Sequence, residues 1–189
     1  MDTSAPFRPG PRLQRLLQAD RHYSARLRYA ENPSRLRRLA IFLAHSGDSW
    51  FWGLGLAAVW LLSGPDGKTY ALRLVAAIFV VAVAVFAVKR AFKRQRPAGE
   101  WGAIYRKTDP HSFPSGHAAR MAMLAVLAAA LGPLWFFLLL LVWAPLVALA
   151  RVAMGVHYLS DVIGGALLGL VFGLALATLY HLFPLFVFA

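Results

Sequence analysis

The chain has no cysteine, so disulfide stapling and thiol chemistry are excluded and the redox compartment cannot be read from it. Acidic residues are scarce, 8 Asp and Glu against 20 Lys and Arg. No run of carboxylates exists to cage a hard cation, so no metal and no cofactor is expected. A secretory signal is missing as well: the first apolar run begins past Arg38, behind nine arginines rather than a short basic tip.

Apolar residues are abundant, at 59% with a mean hydropathy of +0.57. A soluble domain runs at about 45–50%. The excess falls in long runs free of charge, as bilayer spans require, so the chain reads as a polytopic membrane protein. The net charge of +12 asks for an anionic partner. No nucleic-acid recognition motif accompanies it. The cations sit where membrane topology, anionic headgroups and a phosphate substrate would place them.

The fold class read from the pattern is all-α, a transmembrane helix bundle of five spans preceded by an N-terminal amphipathic helix. That helix covers Pro11 to Tyr29, with Leu13, Leu16, Leu17, Tyr23 and Leu27 on one face and arginines elsewhere, as on an anionic membrane surface. The spans are 49–62, 70–88, 117–131, 134–150 and 160–183. Turns at Gly64-Pro65 and Gly132-Pro133 separate neighbours, and Pro145 marks a kink. Leu39–Ala44 is apolar but short, and would make a sixth span only if extended. Residues 1–38 thus form a basic leading segment and 39–189 the membrane domain. Gly165, Gly169 and Gly173 repeat at a four-residue spacing in the last span. Such a stripe suits close packing inside the bundle, and secondarily a homodimer contact.

Three polar clusters interrupt the apolar chain: Lys89 to Pro97, Ser112 to His117, and Arg151 to Asp161. With one hairpin between the spans at 117–131 and 134–150, all three fall on one side of the membrane. Cations, two histidines and an aspartate then converge at one mouth, and ionisable groups held there at a cost mark a functional site. Lys and Arg neutralise phosphate oxygens, and a Ser-Gly turn into a helix offers free N–H groups to an anion. A histidine can attack phosphorus, and a second can protonate the departing oxygen.

The clusters resemble the tripartite signature of the PAP2 (type 2 phosphatidic acid phosphatase) family. Lys89, Arg96 and Pro97 fill the first motif, Pro114, Ser115, Gly116 and His117 the second, and Arg151, His157 and Asp161 the third. Where the family commonly has Ser before the third-motif Arg, this chain has Ala150. The resemblance implies that His157 is the nucleophile, that Asp161 orients it and that His117 protonates the leaving group. It assigns the phosphate oxygens to Lys89, Arg96, Ser115, Gly116 and Arg151. It also implies metal-independent removal of phosphate from a lipid-linked substrate in a bacterial inner membrane. A lipid phosphotransferase on the same fold and a non-catalytic lipid-phosphate-binding scaffold are the competing readings. Outside the signature, Arg120, His45, Asp48 and His111 are candidate substrate contacts, while Lys93 and Arg94 read as loop charge. Only Lys68 and Arg73 fall opposite the mouth, so the positive-inside rule places the mouth in the cytoplasm.

Overall fold

The computed structural model describes residues 10–29 and 34–183. Eight helices account for about four fifths of the described residues: α1 Pro11–Arg26, α2 Arg35–Ser46, α3 Ser49–Leu62, α4 Pro65–Phe92, α5 Glu100–Thr108, α6 Gly116–Leu131, α7 Leu134–Ala153 and α8 Leu159–Leu182. The all-α expectation holds.

α4, α7 and α8 are long and apolar enough to cross a membrane, while α3 and α6 are apolar but shorter. Phe79, Leu141, Val171 and Leu174 lie bare on the outer surface of these helices. So broad an apolar face belongs against lipid, and the chain is an integral membrane protein.

α4 outruns its expected bounds at both ends. Pro65 supplies the preset φ of a first turn, and Asp66 there with Lys89 and Arg90 in the last turn complements the helix dipole. The charges that looked like stops are favourable helix ends, and α4 closes on Lys93 in the left-handed region (φ 47°). The stretch from Lys89 to Ser115, read as loop, holds α5. Its Trp101 and Tyr105 pack against Ala150, Ala153 and Met154 at the end of α7.

α6 is the axis of the bundle, with Met121, Met123, Leu124 and Leu127 fully buried. It packs most extensively on α8, then on α7 and α4. The glycine stripe makes the α6–α8 approach achievable: a Cβ at Gly165 would stand 2.3 Å from the Ser115 carbonyl oxygen, and one at Gly169 2.1 Å from that of Ala119. This corrects the dimer reading of Gly165, Gly169 and Gly173, because α6 occupies that face.

The Leu39–Ala44 stretch becomes part of α2 rather than a separate span. Ala40, Leu43 and Ala44 pack near Ala150 and Ala153 at one end of α7, Ser46 meets Trp143 midway, and Trp52 of α3 meets Phe136 near the other end. α2 therefore packs along α7 and α3 mainly along α4, with the chain broken between them at Gly47-Asp48. α1 lies at the same end as Lys89, tied to the start of α8 by Asp20 and Ser24.

Candidate active site

The three polar clusters meet at one end of the bundle, around a cavity of about 630 Å³. Lys89, Arg96, Arg151, Gly116, His117 and His157 all line it, as do Arg120, Tyr105, Asp109 and His111. Val81, Ala82, Val85 and Phe86 of α4 form an apolar wall along one side.

Each motif residue is held by local structure. Lys89 lies in the last turn of α4, and Arg96 in the extended strand of chain after it, anchored through Nε to the Asp109 carbonyl (2.7 Å) and Nη1 to that of Val156 (2.9 Å). Ser115 is the N-cap of α6, its hydroxyl turned toward the Ala118 amide and its own amide bonded to the Asp161 carbonyl (2.9 Å). Gly116, not the Ser115 side chain, faces the cavity. The α7–α8 connection turns sharply at Gly155 (φ 67°), where a side chain would be strained, and delivers His157 inward.

His157 is 1% exposed. Its Nε2 is 3.3 Å from Arg96 Nη1, and its Nδ1 stands 3.6 Å from Asp161 Oδ2, close but beyond a hydrogen bond. Burial, then the charges of Arg96, Arg151 and Lys89, hold the imidazole well below its ordinary pKa of 6.5. His157 is accordingly neutral at physiological pH, with the Arg96 guanidinium against its Nε2 and no hydrogen-bond partner at Nδ1.

Arg96 and Arg151 flank the Tyr105 ring, their guanidinium carbons 5.3 and 4.7 Å from its centroid. Arg151 also donates to the Tyr105 hydroxyl (3.1 Å). Asp109 lies across the cations: one carboxylate oxygen accepts from both Lys89 Nζ and Arg96 Nη2. Burial alone would raise its pKa, but Lys89 and then Arg96 hold it below the usual carboxylate value. A carboxylate of the chain itself thus bridges two of the cavity's cations.

The substrate-contact candidates divide. His111 lines the cavity; its backbone pairs with Gln95. Arg120 reaches the cavity, yet its guanidinium is committed to the Gly47 carbonyl and to Ser49 Oγ (2.6 Å). His45 and Asp48 do not line the cavity, which corrects the substrate-contact reading: they bond each other (2.9 Å), and Asp48 bonds His117 Nε2 (2.6 Å).

Arg94 is also corrected. It donates to Asp161 (2.7 Å), Ser160 (2.6 Å) and Asp20 of α1 (2.6 Å), and stacks over Tyr158 (4.2 Å). Its place inside the first cluster was a usable signal. Asp20 and Tyr105 offered none, since nothing in their local sequence separates them from solvated polar residues.

Residues 70–184 match the PAP2 superfamily. The chain is 33% identical over 138 residues to undecaprenyl-diphosphatase of Sulfolobus acidocaldarius, a match covering 71% of this chain and 66% of that protein. It is 34% identical over 124 residues to decaprenylphosphoryl-5-phosphoribose phosphatase of Mycolicibacterium smegmatis, covering 65% and 67%. These matches span about two thirds of the relatives' own lengths. Among solved structures, a transmembrane PAP2 type phosphatidylglycerolphosphate phosphatase from Bacillus subtilis shares the fold (TM-score 0.71, 22% identity, covering 91% of this chain and 89% of that one). Aquifex aeolicus LpxE does so at a TM-score of 0.65 and 25% identity, covering 86% and 94%. A motif-bearing cavity, a shared fold and lipid-phosphatase relatives agree: the chain belongs to the PAP2 superfamily and is a membrane lipid phosphatase of that family.

Proposed function

We propose that the protein cleaves a phosphate from a polyprenyl-linked lipid through a phosphohistidine on His157. The observation that carries this is the convergence of Lys89, Arg96 and Arg151 with His157 Nε2 on one cavity that also has an apolar wall on α4. The cations neutralise the phosphate oxygens, and Nε2 attacks phosphorus as the bond to the lipid oxygen breaks. His117 gives that oxygen its proton. A water then attacks the phosphohistidine, its proton passing to His117, and the P–N bond breaks to release inorganic phosphate and neutral His157. The polyprenyl preference is drawn from the substrates named for the sequence relatives, and Val81, Ala82, Val85 and Phe86 suit a chain lying along α4.

The test is phosphate release by the purified protein from a polyprenyl diphosphate, a polyprenyl-phosphoryl sugar phosphate, phosphatidic acid and phosphatidylglycerol phosphate. Release from the polyprenyl substrates, with acid-labile label trapped on the protein, is the expected result. Label passing to an added alcohol in preference to water would make the protein a phosphotransferase. Binding without release would make it a scaffold.

The catalytic mouth faces the cytoplasm in this proposal. α2 and α3 would make one broken crossing, so that with α4, α6, α7 and α8 the chain crosses five times. The basic segment 1–38, with α1 interfacial, would then share the mouth's side. Of 20 Lys and Arg, only Lys68 and Arg73 would lie opposite. A bacterial inner membrane fits this arrangement, with anionic headgroups as partners of α1. An alkaline phosphatase fusion at Ala189 should be active and one within residues 99–107 silent; the reverse pattern would turn the protein over.

A further inference from the structure

The break between α2 and α3 is built with more care than a helix interruption needs. Arg120 of α6 reaches across to both sides of it, donating to the Gly47 carbonyl and to Ser49 Oγ. Ser46, just before it, accepts from Trp143 Nε1 of α7 at 2.9 Å. Gly47 admits no side chain, because a Cβ would stand 2.7 Å from Val147 Cγ1 and 2.9 Å from His117 Cδ2. α7 therefore backs the break while α6 holds it against its own N-terminal turns.

What the break presents there is Asp48. Its Oδ1 lies 2.6 Å from His117 Nε2, while Oδ2 accepts from His45 Nδ1 (2.9 Å) and Trp50 Nε1 (3.2 Å). His117 lines the cavity and Asp48 does not, so the carboxylate sits behind the ring as seen from the substrate. An imidazole bonded to a carboxylate through one N–H is fixed in tautomer and orientation, and its cationic form is stabilised.

We propose that Asp48 is a positioning residue for the proton donor, holding the proton on His117 Nε2 so that Nδ1 carries the one delivered to the leaving lipid oxygen. This rests on the reading of His117 as that donor. When the P–O bond breaks, the Nδ1 proton goes to the lipid oxygen and the ring becomes neutral, with Nε2–H still bonded to Asp48. When water attacks the phosphohistidine, Nδ1 takes a proton back. Asp48 stays ionised throughout. The site thus has two histidine–carboxylate pairs, and the second lies outside the three motifs.

The readout is leaving-group dependence. An activated aryl phosphate departs without a proton, whereas a lipid alcohol needs one. kcat/KM would be compared for the two substrate types in the parent protein and in Asp48→Asn, Asp48→Glu, His117→Ala and the double variant Asp48→Asn/His117→Ala. The expected result is a loss of about 100-fold on the lipid substrate for Asp48→Asn, at least about tenfold more than on the aryl phosphate. Asp48→Glu should keep the parent ratio more nearly than Asp48→Asn, and the double variant should be no worse than His117→Ala. If the ratio shifts in His117→Ala but not in Asp48→Asn, the role of Asp48 is overturned and the proton donor stands. If it shifts in neither, His117 is not the donor and both readings fall. Should Asp48→Asn not fold, the parent protein still decides: ¹⁵N-histidine spectra, with His117→Ala identifying the ring, must show His117 protonated at Nε2. A neutral ring protonated only at Nδ1 would overturn the proposal.

Discussion

The two histidines of the site are held by opposite means. His157 is bracketed by cations, and its nearest carboxylate, Asp161, stands at 3.6 Å with its oxygens already taken by Arg94 and the Tyr158 amide. His117 has a carboxylate at 2.6 Å, supplied from 69 residues away. The difference matches the two tasks. A nucleophile needs a neutral ring and an available lone pair, which buried positive charge enforces. A proton donor needs a ring fixed in tautomer and orientation, which a bonded carboxylate provides.

Breaking the first member of the comparison should have the largest effect. His157→Ala is expected to abolish phosphate release and to yield no labelled protein, because it removes the proposed covalent nucleophile from among the cavity's cations. Rapid-quench assays with labelled substrate check both, and residual turnover near the parent rate would sink the mechanism.

Disturbing the second pair without touching its chemistry should come next. Gly47→Ala puts a methyl against Val147 and His117, and overpacking of this kind costs about 1–3 kcal/mol. The ring must move off Asp48 to make room. Lipid turnover should fall about tenfold or more while the protein remains folded, seen as a lower melting temperature alongside a loss in kcat.

Arg94→Gln loosens the first pair from behind. Asp161 is fully buried, and removing the guanidinium leaves it with the Tyr158 amide and the Ser112 hydroxyl but no cation bonded to it. Hydrogen bonds to charged groups are worth about 1.5–3 kcal/mol. The melting temperature should fall, and kcat should drop about tenfold with KM little changed. A change in KM alone would return Arg94 to loop charge.

The smallest effect is a position on the pH axis. Activity on the nucleophilic limb requires neutral His157, whose pKa is depressed, so the group stays competent as pH falls until its own lowered pKa is reached. The acid limb of kcat/KM for the aryl phosphate should lie below pH 6.5, the ordinary histidine value. A limb at or above 6.5 would mean that the surrounding cations do not act on His157 as placed.

Much of this was legible without coordinates, for a physical reason. Apolar runs free of charge must be bilayer spans, because lipid leaves no other way to satisfy their backbones, and the bounds of α3, α6 and α8 follow to within a residue or so. The convergence of Lys89, Arg96, Arg151 and His157 was legible because they lie in short motifs beside helix ends, where local spacing fixes which side of the membrane they reach. The same locality explains the failures. α5 has too few apolar residues to announce itself, and its Trp101 and Tyr105 are partly buried only by a cluster that α2 and α7 bring together. Arg94 looks like any solvated cation until Asp20 of α1 and Ser160 and Asp161 of α8 close around it from two distant parts of the chain. His45 and Asp48 were noticed as polar residues in an apolar stretch, but their purpose depends on where a broken helix comes to rest. No spacing rule links Asp48 to His117. Their contact exists because Gly47 lacks a side chain, Arg120 grips both edges of the break, and α7 backs it with Val147.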